Sequence, residues 1–299
     1  MKGEKIMEKL FSLFMAFMMG IIGGWFTPVT VLPEAQIPET AETAELTIMT
    51  FNVYIKGSGE KSPENRTDEV AETVRNADPD SFGVQEADPD WLERLSEALP
   101  EYSYAGHGRD KDLGGEASAV FYKNEKYDLV SEETFWLSKT PEKPSKGWDA
   151  WINRICTVAV LRDKETGFTY AHFNAHFDNS GSISRVESIA LISEKASTFD
   201  MPVVLTGDLN AKEGNLMYKR ALEAGFRDTK YLAEVSDSGA TYHGYMGQDK
   251  LNDKPIDYIF VNSYCESVAK YDVITEKLNG IYPSDHFPVA STLKMYYVN

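Results

Sequence analysis

The chain has 299 residues, 26% of them charged, with a formal net charge of −17 and only two cysteines. Such acidity, with no run of Lys or Arg longer than two, argues against a processive or high-affinity binder of polyanions, because an acidic surface repels them unless it hides a basic groove. Two cysteines exclude a disulfide framework; Cys156, inside the apolar run ICTVAVL, suits a buried free thiol, and a single bridge to Cys265 is the other reading.

In chain order, Met1–Lys9 carries three Lys and two Glu, and Leu10–Leu32 is apolar and uncharged. A basic start followed by an apolar core predicts a signal peptide or a membrane anchor over residues 1–32. The stretch is about long enough to span a bilayer, although Gly23-Gly24 and Thr27-Pro28 weaken it as a helix. No good small-x-small cleavage site follows, which favours a retained membrane tether through residues 10–32. Lys before the span and Glu after it place the rest of the chain outside, as a secreted or cell-surface protein. Residues 33–45, acidic and rich in Pro and Thr, predict an exposed linker. Residues 46–299 are then enough for one large domain, expected to be monomeric.

Within that domain, apolar β-branched runs predict strands over 46–53, 81–85, 117–122, 152–161, 167–177, 202–206, 256–261, 265–274 and 287–297. A helix starts at Ser62-Pro63, turns Val70, Val74 and Ala77 inward, and stops before Asp78-Pro79. A second covers 89–98, and a third runs from Ser182 to about Phe199 with Ile183, Val186, Ile189 and Ala190 on one face. A short one follows Gly214. This order predicts an α/β fold in which two mixed β-sheets pack face to face with helices outside. Loops 106–115 and 138–150 are long and polar, with Trp148 and Trp151 near the second, and long loops on a scaffold carry specificity.

Six strand-like runs carry carboxylate, amide or imidazole side chains at one end: Asn52, Glu86, His176 with Asp178, Asp208 with Asn210, Asp257, and Asp285 with His286. Such a rim suits a hard divalent cation and a phosphate. In TYAHFNAHFD, alternation turns Phe173, Ala175 and Phe177 one way and His172, Asn174, His176 and Asp178 the other. Residues four apart on a strand lie about 13 Å apart, so His172 and His176 do not share a zinc ion at bond lengths of about 2 Å. His172 is expected to be structural. Asp257 beside the apolar YIFV needs a partner, and pairing with His286 would satisfy both, as in a general-base dyad. Asp208 suits proton handling and Asn210 the orienting of a phosphate oxygen. The Arg154 guanidinium is placed to grip a phosphate oxygen, with a surface ion pair as the plain alternative. His107 and His243 lie in Gly-rich loops and are candidates to line a pocket.

Taken in order, TFN, QE, HFD, GDLN, IDYIF and SDHFPV resemble the endonuclease/exonuclease/phosphatase superfamily, the deoxyribonuclease I-like fold, across Leu46–Tyr297. ENR (64–66), GWDA with Arg154 (147–154) and TYHGYMG (241–247) are similar to a bacterial subgroup of mostly unassigned substrate. The resemblance implies a four-layer α/β sandwich and Mg²⁺-dependent (or Mn²⁺-dependent) hydrolysis of phosphate esters. It implies metal binding at Glu86, Asp285 and Asn52, and catalysis by His176, Asp208, Asn210, Asp257 and His286. Arg154, Asn210 and His176 would hold the phosphate. Either His286 or Asp208 would be the base. Ala175 stands where Thr is common. The implied partners are nucleic acid, an inositol phosphate or a phospholipid headgroup. A noncatalytic, surface-anchored metal- or phosphate-binding module is the alternative.

Overall fold

The structure, a computed structural model, describes residues 26–246 and 253–297. Thirteen strands, numbered along the chain, form two sheets among the described residues. One has the order β10 (Ala233–Ser236), β12 (Cys265–Val273), β13 (Val289–Tyr297), β1 (Glu42–Asn52), β2 (Ser81–Gln85), β4 (Val120–Lys123), β3 (Tyr102–Ala105). The other runs β5 (Tyr127–Trp136), β6 (Ile155–Asp163), β7 (Thr169–His176), β8 (Val203–Asp208), β11 (Asp257–Val261), β9 (Arg227–Asp228). Both are mixed: β1 pairs parallel with β2 and β7 parallel with β8, while β13 and β11 close on β1 and β8 antiparallel.

Four layers follow from three apolar clusters. Helices α1 (Pro63–Ala77) and α2 (Pro89–Ala98) set Val70, Val74, Trp91 and Leu95 against Met49, Phe51, Phe82 and Val84 on the outer face of the first sheet. Helices α3 (Ser182–Ala196) and α4 (Leu216–Glu223) set Val186, Ile189, Ile192 and Met217 against Phe173, Val203, Leu205 and Phe260 on the outer face of the second. Between the sheets lie Leu46, Ile48, Val120, Leu161, Val204, Ile259, Val289 and Leu293. The expected helices are present, but Ile183 is 44% exposed and does not share the buried face of α3. β3, β5, β9 and β10 extend the sheets beyond the strands expected from the sequence.

The inter-sheet layer changes character along its length. At one end it is apolar; toward the other, Ser81, His172, Asn174, Gln85 and Thr206 form a buried hydrogen-bonded network. His172 bridges Ser81 Oγ and Thr206 Oγ1 at 2.8 Å each, and burial lowers its pKa to about 3, so it ties the sheets together as a neutral ring. Gly83 leaves room for this network, since a Cβ there would sit 2.3 Å from Asn174 Oδ1. Cys156 and Cys265 are both buried free thiols.

The start of the chain corrects the expected location. Residues 1–25, which hold most of the supposed signal or anchor, lie outside the described residues. No helix among the described residues is long and apolar enough to cross a membrane. The remainder of the apolar stretch forms neither helix nor strand: Leu32 is buried in the core beside α4, and Phe26 and Val29 pack on the same cluster. These side chains are apolar because they face protein. The Leu32 N–H donates to Ala224 O at 2.8 Å, the Thr27 N–H to Glu187 at 3.0 Å, and the Ala35 N–H to Ser263 Oγ at 2.7 Å. The segment expected as linker also contributes, because β1 begins at Glu42. The cell-surface placement therefore has no structural support.

Candidate active site

The strand registers place the polar ends. His176 on β7 pairs with Asp208 on β8, which pairs with Asp257 on β11, so the three stand in one row on one face of the second sheet. Across from them, β1 ends at Asn52 and β2 runs into Glu86. The Asn52 amide joins the sheets: Nδ2 donates to Glu86 Oε1 at 3.2 Å and to Asp208 Oδ2 at 3.1 Å. Its Oδ1 accepts the Tyr54 N–H at 3.0 Å, which fixes the amide orientation. Glu86 Oε2 accepts the Ile55 N–H at 3.0 Å. The segment Ser284–His286 is held by Ser284 Oγ, which donates to Asn52 O at 2.6 Å.

His286 Nδ1 lies 2.9 Å from Asp257 Oδ2, the expected pairing, and Thr241 Oγ1 donates to the same oxygen. The other imidazole nitrogen faces Asp208 Oδ2 at 3.8 Å, and His176 Nε2 approaches that oxygen to 3.4 Å. Burial alone would lower the His286 pKa, but the charge of Asp257, its hydrogen bond, and the charges of Asp208 and Asp285 outweigh burial and raise it to about 10. Burial, reinforced by Asp257, raises Asp208 to about 7. Burial and the nearby Arg154 and His286 charges hold His176 well below its ordinary value, so it is neutral. At neutral pH the cluster therefore pairs an imidazolium with a carboxylate poised to take a proton.

Loop 147–154 supplies one wall of the site. Asp178 accepts from the N–H groups of Trp151, Ile152, Ser180 and Gly181 at 2.7–3.4 Å. Asp149 accepts from Ile183 and Ser184 at the first turn of α3. So braced, the loop presents Arg154, 5% exposed, whose Nε stands 3.6 Å from Asp178 Oδ2 while Nη1 makes no hydrogen bond. A buried guanidinium with spare donors is costly unless an anion completes it.

A cleft of about 400 Å³ is lined by Glu86, Arg154, His176, Asp208, Asn210, Asp285 and His286, with Asn52 and Asp257 buried behind it. Asn210 donates Nδ2 to Phe177 O at 3.0 Å and its N–H to Asp208 Oδ1 at 3.0 Å. Sequence reasoning missed Tyr54, Lys56, Glu116 and Tyr242 in the same lining. It flagged Trp151 only as a loop neighbour, yet Trp151 sits on the rim 75% exposed. His243 does not line the cleft. It is buried, stacked on Phe287 with centroids 4.0 Å apart. His107 is also elsewhere, its Nδ1 held 2.9 Å from Gly108 O.

Glu86 and Asp285 fit a hard cation. Both line the cleft, and burial together with the Glu86 charge raises the Asp285 pKa, a repulsion that a divalent ion would relieve. Asp208, Asp257 and His286 form a second grouping able to surround an ion, with ligand atoms within 4.8 Å of one another. There His286 Nδ1 is engaged with Asp257, and imidazole is a poor Mg²⁺ ligand.

A sequence profile of the Endonuclease/Exonuclease/phosphatase family matches residues 49–286. Among solved structures, a family protein from Bacteroides thetaiotaomicron is 33% identical, with a TM-score of 0.81 over 86% of this chain and 97% of that one. A mannosyl-6-phosphatase from the same organism is 34% identical, with a TM-score of 0.78 over 83% of this chain and 99% of that one. An uncharacterized protein of Acanthamoeba polyphaga mimivirus is 27% identical over 76% of this chain and 90% of its own.

Proposed function

The chain belongs to the endonuclease/exonuclease/phosphatase family, a family of phosphate-ester hydrolases, and from that premise we propose that it removes phosphate from a small polyol or sugar phosphate with the help of Mg²⁺. The observation that carries this reading is Arg154, buried at the cleft wall with an unfilled donor beside His176 and Asp208. The modest cleft volume, the exposed Trp151 at its rim, and the similarity to a mannosyl-6-phosphatase favour a small substrate over a polymer. The net charge of −17 points the same way.

Glu86 and Asp285 would hold Mg²⁺, or Mn²⁺ in its place. Asn52 would orient the site, its NH₂ facing the Glu86 and Asp208 carboxylates while its carbonyl oxygen accepts the Tyr54 N–H and keeps a second lone pair for the ion. When bound, the ion supplies charge neutralisation at a phosphoryl oxygen. The protein side chains do the rest. Arg154 binds the phosphate, aided by His176 and by the second N–H of the Asn210 amide. Asp208, ionised near neutrality, accepts a proton from the attacking water. His286, kept cationic by Asp257, stabilises the negative charge that develops as the ester bond breaks.

Release of inorganic phosphate from mannose 6-phosphate and from an inositol phosphate is to be compared with strand cleavage of DNA and RNA followed on gels, each in Mg²⁺ and in EDTA. We expect Mg²⁺-dependent release from the sugar phosphate and little action on nucleic acid. DNA or RNA turnover that exceeds sugar phosphate turnover sinks the substrate assignment. Full activity in EDTA sinks the metal.

A further inference from the structure

Arg66 lies outside the cleft and touches none of the groups assigned to the chemistry. Its guanidinium is nevertheless 0% exposed, and every N–H on it is spent on backbone carbonyls. Nε donates to Lys61 O at 2.8 Å. Nη1 donates to Val53 O at 2.8 Å and to Pro283 O at 2.6 Å. Nη2 donates to Tyr54 O at 2.7 Å and to Lys56 O at 3.3 Å. Two aromatic rings lie beside the guanidinium, the Trp91 centroid at 5.1 Å and that of Tyr54 at 5.6 Å.

These carbonyls come from the stretch that follows Asn52, from the short turn Gly59–Lys61 that leads into α1, and from the residue before Ser284-Asp285-His286. Between the two carbonyls that Nη2 grips lies Ile55, whose N–H holds Glu86 Oε2. One planar fork on α1 thus ties the backbone that orients Glu86 to the backbone that carries Asp285. Tyr54 takes a left-handed φ of 58°, a conformation that a non-glycine residue keeps only when its surroundings impose it.

We propose that Arg66 is a positioning residue for the divalent-cation site, setting the separation of the Glu86 and Asp285 carboxylates by clamping their two backbone segments into one piece. The inference rests on the metal assignment made above. Its chemical content is the shape of the guanidinium. Lysine keeps the charge, but its donors radiate from one nitrogen and cannot bridge carbonyls from three segments. A loosened clamp leaves both carboxylates present but lets like charges drift apart, so the ion loses the paired site.

The test is calorimetric titration of the metal-free full-length protein with MnCl₂. Glu86→Gln should abolish the high-affinity isotherm; if it leaves Mn²⁺ binding intact, the metal assignment fails and this proposal with it. With that control in hand, Arg66→Lys should weaken Mn²⁺ binding by about 10- to 100-fold, the usual range for loss of a group that supports a ligand. The Mg²⁺ concentration for half-maximal phosphate release should rise in parallel, with kcat recovered at saturating Mg²⁺. A folded Arg66→Lys protein with a lowered melting temperature and unchanged Mn²⁺ affinity overturns the proposal, because that is what a purely structural arginine predicts. Should Arg66→Lys not fold, Ser284→Ala loosens the same junction by removing the bond from Ser284 Oγ to Asn52 O, together with the contacts of Oγ to Asp285 Oδ1 at 3.4 Å and to the His286 N–H at 3.3 Å. A smaller weakening of Mn²⁺ binding supports the clamp, and unchanged affinity refutes it.

Discussion

Asp257→Asn gives the sharpest test of the proposed chemistry. The replacement is nearly isosteric and keeps an acceptor for Thr241, so the fold should survive. It removes the charge that comes first among the causes raising His286. The rise of His286 from 6.5 to about 10 corresponds to a preference for the imidazolium on the order of 5 kcal/mol, at ~1.4 kcal/mol per tenfold. Asp257 supplies the largest share of that preference, against the opposing effect of burial. Without it, only the charges of Asp208 and Asp285 oppose burial, so the His286 pKa should fall well below 10 and the ring lose its positive charge more readily near neutrality. Loss of the cation should lower kcat by roughly 10²- to 10⁴-fold, with little change in KM, since Arg154 remains. Two measurements check this: steady-state phosphate release at saturating Mg²⁺, and an NMR titration of the His286 ring protons. A variant with kcat close to wild type, or with His286 still titrating near 10, would refute the argument that Asp257 sets the charge of His286.

Three further outcomes follow from the same structure. The kcat–pH profile should rise as Asp208 ionises, at or below its value of about 7 because a bound cation favours the carboxylate, and fall as His286 loses its proton near 10; a rate that declines between pH 6 and 8 contradicts the assignment. The sign for stability is separate: the raised His286 pKa contributes fully below 6.5 and is lost as pH rises toward 10, measurable by urea denaturation across that window. Arg154→Met should weaken inhibition by inorganic phosphate about 10-fold or more and lower the melting temperature, because it also removes the buried cation 3.6 Å from Asp178; a drop in melting temperature with unchanged phosphate affinity would make Arg154 structural. A protein beginning at residue 46 rather than 26 should lose about 3 kcal/mol or more by urea denaturation, from the burial of Leu32 and the bonds to Ala224, Glu187 and Ser263; equal midpoints would show that residues 26–45 contribute nothing.

The site was legible where the sequence states its chemistry locally. Each polar residue of the row follows or opens an apolar run, so strand alternation and strand ends were enough to place His176, Asp208 and Asp257 on one rim. The Asp257–His286 pair followed from the cost of burying a lone carboxylate. What stayed hidden depends on distance in space. Arg66, in PENRTDEV, looks like one polar residue of an amphipathic helix; only the folded chain shows carbonyls from 53, 54, 56, 61 and 283 meeting on it. β5 escaped because its middle is exposed and polar, with Val130 52% exposed on an edge strand. The apolar run at 26–32 misled because hydrophobicity does not say whether lipid or protein will cover a side chain. His243 misled for the converse reason, its Gly-flanked loop folding the ring onto Phe287.

Backbone conformation carries one more argument about where this chain concentrates its function. Eight non-glycine residues among those described have positive φ, and three of them, Tyr54, Glu86 and Asn210, line the cleft just beyond the ends of β1, β2 and β8. Each such residue costs on the order of 1 kcal/mol or more and persists only where neighbours over-determine it. The neighbours are visible: Asn52 Oδ1 holds the Tyr54 N–H, Ile55 N–H holds the Glu86 carboxylate, and Asp208 Oδ1 with Phe177 O holds Asn210. Glycine would remove the strain at position 86, but it would also remove a carboxylate that faces Asn52 and the cleft. A fold selected for stability alone would have no reason to keep Glu there. The sharp left-handed turns are what allow three strand ends from two sheets to aim their side chains at a common point instead of continuing past it, and that convergence is what a phosphate-cleaving centre requires of this scaffold.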